Sequence, residues 1–166
     1  MATVTHVEIL KRSFDPSLEM LRVLVEKCPE GLWLDDRVGF PFWQQVWHVA
    51  FFIDFWLRED YSRGVEYRAM TFDKDLPVEL DRRSDEHLTR EEAAEYLKRL
   101  QEKANRFFSS LDDARLLEPI VEGRPVTYLD VIIGQIRHIQ YHVGHGNCIL
   151  KSSGAETSGW LAFNEG

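Results

Sequence analysis

At 166 residues the chain suits one domain, spanning 1–166, and its 44% hydrophobic content, with five Trp and ten Phe, excludes disorder as the overall state. A formal charge of −8 and a pI near 5.2, without any stripe of Lys or Arg, exclude a nucleic-acid backbone as partner and disfavour an anionic membrane surface. The start MATVTHVEILKRSF has no apolar signal core, no stretch approaches the ~18 apolar residues of a membrane span, and Cys28 and Cys148 form no CxxC, so a cytoplasmic protein is expected.

Four segments carry a helical period and nothing reads as a sheet. The first is FDPSLEMLRVLVEKCPEG, where Leu18, Leu21, Val25 and Cys28 recur at helical spacing. Asp15 followed by Pro16 reads as an N-cap and a first-turn proline. If helix extends upstream, over about 4–14, then Pro16 marks a kink or break. The second segment, PFWQQVWHVAFFIDFWLRED, is apolar almost all round, as in a helix buried on several sides. The third, TREEAAEYLKRLQEKANRFFSSL, opens with Thr89 and Glu92 at capping-box spacing. Its stripe runs through Ala93, Leu97, Leu100, Ala104, Phe107 and Leu111. The fourth, TYLDVIIGQIRHIQYHVGHGNCILKSSG, repeats the cap with Thr127 and Asp130, and Lys151 and Gly154 suit its C-terminal end.

The connections set the topology. Residues 59–88, between the second and third segments, are charged and aperiodic. A connection that long is uncommon unless it must travel the length of a helix. An eighteen-residue helix is ~27 Å long, so the segment can return the chain to the start and leave the two helices parallel. The shorter connections, about 29–40 and 112–126, permit antiparallel neighbours. The expected fold is all-α: a four-helix bundle with one long crossover between helices two and three. Trp160 and Phe163, in the tail, are expected to dock on it.

His138, His142 and His145 fall within eight positions of the fourth segment. Residues four apart share a helix face with Cβ atoms ~6 Å apart, so two such imidazoles can reach one metal ion. His138/His142 meet that condition. His145 projects to the same side but sits ~10 Å further along the axis than His138, so one ion takes either 138/142 or 142/145. Gly134, one turn before His138, leaves space where a pocket would need it. A third ligand must come from another helix. His6 lies near the chain start and His87 in the charged connection, whereas His48 lies inside the most apolar helix, with Gln44 and Phe55 on its face. A histidine there must be ligated or hydrogen-bonded. Phe51, Phe52, Phe55 and Trp56 read as ordinary core, the pairs Glu91–Glu92 and Arg82–Arg83 as solvated surface. Asp54 lies ~120° around the helix from His48 and is not counted as a ligand.

The stretches WHVAFFIDFWL and IRHIQYHVGHGN, with the order of the segments and the long crossover, resemble the DinB/YfiT superfamily of metal-dependent proteins over nearly the whole chain. The resemblance implies a divalent ion, nickel or zinc, held by His48, His138 and His142, with His145 beside the pocket. It implies the same crossover bundle, a homodimer, and no DNA binding. It also implies thiol chemistry: transfer from a low-molecular-weight thiol to an electrophile on a small-molecule substrate, the ion acting as Lewis acid and thiolate generator. Metal-assisted hydrolysis is the neighbouring reaction, and a non-catalytic, stress-related metal- or ligand-binding protein the other class. No residue stands out as a general base; Gln44, Tyr141 and His145 are candidates for the pocket wall.

Overall fold

The computed structural model describes residues 3–37, 39–62 and 68–162; Phe163 lies outside them. Four long helices form the bundle: α1 (His6–Lys27), α3 (Phe42–Trp56), α4 (Arg90–Ser109) and α5 (Tyr128–Ser152). A four-residue α2 (Glu30–Trp33) and a 3-10 turn (Arg115–Leu117) sit in the shorter connections. There is no sheet among the described residues, only an isolated bridge between Pro119 and Thr127.

The capping boxes read from the sequence at Thr89/Glu92 and Thr127/Asp130 are present at the starts of α4 and α5. The start of α1 differs from the expectation. Thr5 and Glu8 form its capping box, so the helix begins ten residues before Pro16 and runs through it. Pro16 cannot donate to the carbonyl one turn earlier. Its ring is buried, and its neighbours carry the turn: Ser17 Oγ donates to the Ser13 carbonyl at 2.8 Å. Asp15 caps nothing; it pairs with Lys11 and accepts from Gln101 Nε2 at 3.1 Å.

Each pairing of long helices fixes a direction. Trp47 packs on Tyr96 and, seven residues on, Asp54 meets Lys103, so α3 and α4 advance together and are parallel. Met20 meets Gln140 and Leu24 meets Gly146, so α1 and α5 are parallel too. Phe14 packs on Phe108 while Arg90 reaches the Cys28 carbonyl, and Gln45 meets His142, so the other pairings are antiparallel. The neighbours around the bundle are α1–α5, α5–α3, α3–α4 and α4–α1. Helices joined by the shorter connections are therefore antiparallel, as expected, but lie across the diagonal instead of side by side.

Among the described residues of the crossover between α3 and α4, backbone carbonyls accept from buried side-chain donors of α2 and α3. Trp47 Nε1 donates to the Leu76 carbonyl at 3.1 Å and Gln44 Nε2 to the Arg82 carbonyl at 2.7 Å. Trp33 Nε1 donates to the Leu88 carbonyl at 2.7 Å. Unpaired buried donors are costly, so these bonds hold an otherwise irregular segment in place. Where the parallel α3 and α4 both end, their negative dipole ends coincide. Cations gather there: Lys103 Nζ donates to the Asp54 carbonyl at 2.6 Å and Arg115 Nη1 to the Ser110 carbonyl at 3.0 Å. Asp54 itself is 2% exposed and accepts from Lys103, from Tyr96 Oη at 2.8 Å and from the Ala69 amide. Tail residues Ala155 and Leu161 pack against the core, but Trp160 is 78% exposed and does not dock as expected. No helix of the described residues is long and apolar enough to cross a membrane.

Candidate metal centre

His48 sits midway along α3, and His138 and His142 sit on consecutive turns of the antiparallel α5. One nitrogen from each ring lies within 4.8 Å of the other two. The ring centroids are 5.0 Å apart for His48–His138 and 4.9 Å for His48–His142 and His138–His142. The Nε2 atoms of His48 and His138 are 3.1 Å apart. Two nitrogens at ~2.0–2.1 Å from one tetrahedral zinc ion lie ~3.4 Å apart, so the cluster is at the scale of a shared ion.

The far side of two rings is anchored by the protein. His48 Nδ1 lies 2.8 Å from the Val78 carbonyl, which only accepts, so Nδ1 carries the proton and donates. His142 Nδ1 donates to Gln45 Oε1 at 3.1 Å. In the neutral rings both Nε2 lone pairs are then free for the cluster, the arrangement by which second partners orient metal-binding imidazoles.

Burial keeps His138 and His142 neutral. His142 is 8% exposed, and loss of hydration, then the neighbouring His138, His48 and His145, lower its pKa to about 3. His138 falls to about 4, from burial first and the adjacent His48 second. Neutral imidazole is the ligating form, so the fold holds these two rings ready to bind a cation and reluctant to bind a proton. The donor set of three imidazoles suits nickel, zinc or copper better than magnesium or calcium.

One side of the cluster is closed and one is open. Phe52 closes it, with its ring 4.9 Å from His48 and 5.7 Å from His138. It is this wall, and not ordinary core, that Phe52 forms; Phe55, the residue expected on the face of His48, stacks on Phe51 instead. On the open side a shallow depression of about 710 Å³ is lined by Gly134, Arg137, His138, Gln140 and Tyr141. At Gly134 nothing lies within 4 Å of where a Cβ would be, so the glycine does leave the expected space. Tyr141 is 71% exposed and sets its ring 5.1 Å from His142.

Of the two chelating pairs that spacing allowed, the fold assembles 138/142. His145 is exposed and outside the cluster. His6 pairs with Asp113, and the His87 carbonyl accepts from Lys74. Gln44 is fully buried and turned to the crossover. The side-chain amide oxygens of Gln44 and Gln135, one turn before His48 and His138, are buried with no donor. Sequence reasoning missed Gln45 and Val78. Gln45 had no local signal, because its partner His142 lies 97 residues away on another helix. Val78 had none, because its contribution is a backbone carbonyl. Asp54 lies outside the cluster.

No curated protein and no solved structure matches the chain. The sequence model of the DinB superfamily matches residues 13–145, a span that holds all three clustered histidines, and the chain belongs to that superfamily.

Proposed function

We propose that the protein is a divalent-metal-dependent enzyme, with residues 1–166 as one domain and with His48, His138 and His142 holding the ion, nickel or zinc, through one nitrogen each. The observation that carries this reading is the convergence of three imidazoles, two of them anchored through Nδ1, beside an open depression. Three protein ligands leave coordination positions for a substrate, as catalytic sites do and structural sites do not. When bound, such an ion supplies Lewis acidity and lowers the pKa of a thiol or water. The chain supplies the rest. Val78 and Gln45 fix the ring orientations. Phe52 keeps water from one flank, and Gly134 leaves room for a ligand on the other. The reaction class is transfer from a low-molecular-weight thiol to an electrophilic small molecule, or metal-assisted hydrolysis, in the cytoplasm and in a homodimer.

A second reading, a non-catalytic metal- or small-ligand-binding protein of stress responses, is favoured by one observation. Among the described residues the group able to hold an ion contains three histidines and no Asp, Glu or Cys. Metal analysis of the purified protein, followed by assay of the metal-loaded protein with thiols and electrophiles, separates the two. Turnover that is lost in His142→Ala supports the enzyme. Stoichiometric metal with no turnover of any thiol or ester supports the second reading. Sedimentation showing only a species of the single chain's 19.5 kDa would remove the dimer.

A further inference from the structure

The depression beside the cluster holds one positive charge. Arg137 directly precedes the cluster residue His138 on α5, and the two side chains line the same wall. Arg137 is exposed and makes no ion pair or hydrogen bond through its side chain among the described residues. That differs from the arginines of the crossover, where Arg82 is paired with Asp75 and Arg83 with Asp36. Above the same wall stands Tyr141, its ring largely exposed and braced edge-on by His142. Gly134, one turn before His138, lines the same depression without a side chain to fill it.

We infer that the substrate or cosubstrate of this site carries a carboxylate, and that Arg137 binds it while the donor atom of the same molecule sits at the three histidines. The inference rests on the metal reading above. A planar guanidinium takes a carboxylate through two parallel charge-assisted N–H bonds; a neutral ester accepts only weaker, uncharged bonds, and a cation is repelled. Tyr141 offers its ring face to the carbon skeleton between the two ends. The depression is open and shallow, so shape alone selects weakly there. A charge-assisted pair is the contact on that wall able to discriminate. Arg137 is thus a binding residue that selects for charge, and the three histidines select for the donor atom.

The test uses cobalt(II) as a spectroscopic stand-in and two thiols that differ only in charge: 3-mercaptopropionate and its methyl ester. Thiolate binding to the loaded protein is read from the sulfur-to-cobalt charge-transfer band, and no turnover is needed. The wild-type protein should bind the carboxylate thiol more tightly than the ester by about tenfold or more, as a charge-assisted hydrogen bond implies. In Arg137→Gln that ratio should fall to about one, through loss of carboxylate affinity with ester affinity unchanged. Arg137→Lys should keep part of it. An equal ratio in wild type and Arg137→Gln overturns the inference, as does a wild-type ratio of one, while the metal reading survives both. Absence of the d–d bands of bound cobalt would instead show that the histidines hold no such ion, and both readings would fall.

Discussion

His48 and His138, 90 residues apart in the chain and on two antiparallel helices, bring their Nε2 atoms to 3.1 Å of each other. Neither helix could make this contact alone. The His138/His142 pair is local, fixed by helical geometry, but His48 reaches it only because α3 and α5 are neighbours in the bundle.

His142→Ala should abolish stoichiometric nickel or zinc binding while leaving helix content close to wild type, because Leu, Ile and Phe side chains supply the core. Metal analysis after dialysis and far-ultraviolet circular dichroism measure the two halves. His145→Ala should retain full metal. A reversed order of effects would show that the ion is not held by 138 and 142.

Gln45→Leu removes the acceptor of the His142 Nδ1 proton and leaves the ligand atoms in place. Metal affinity should drop by roughly 10–100-fold, the usual effect of losing a partner behind a ligating histidine. Competition against a chelating dye gives the value. Wild-type affinity in this variant would mean that the bond does not orient the ring.

The metal-free protein should lose stability in acid in a way that the histidines explain. The unfolded chain takes up protons near the ordinary histidine value of ~6.5. Folded His138 and His142 do so only at about 4 and about 3. Between those limits the unfolded state binds more protons, so stability falls as pH drops from ~6.5 towards about 4 and the contribution is absent above it. Denaturant titrations across pH 7 to 4 should therefore show a steeper fall in the metal-free wild type than in His142→Ala. Parallel profiles would place the acid sensitivity elsewhere.

Asp54→Ala should destabilise the fold by about 3–5 kcal/mol, because it leaves the Lys103 ammonium buried without its carboxylate. It should also free the Ala69 amide and the Tyr96 hydroxyl. Adding Lys103→Met should recover much of the loss by removing the stranded charge. Urea unfolding of the single and double variants gives both numbers. A single variant within 1 kcal/mol of wild type would show that water reaches Lys103 freely.

What the sequence determined by itself is what depends on near neighbours along the chain. Thr89/Glu92 and Thr127/Asp130 start helices because their capping bonds close within three residues. His138 and His142 share a face because helical geometry is the same in any fold. The length of the crossover determined that α3 and α4 run parallel, since a chain of that length is needed to return along a helix. Tertiary structure decided the rest. Pro16 stayed inside α1 because packing against the bundle outweighs one missing backbone bond, a balance that no local pattern records. Asp54 found Lys103, Tyr96 and the Ala69 amide, and the partners of a buried carboxylate can come from anywhere in the chain. His48 is oriented by the carbonyl of Val78, an atom that every residue type carries and that sequence therefore cannot single out. The choice between His138/His142 and His142/His145 also waited on the fold, because only the placement of α3 against α5 sets which end of the histidine row His48 can reach.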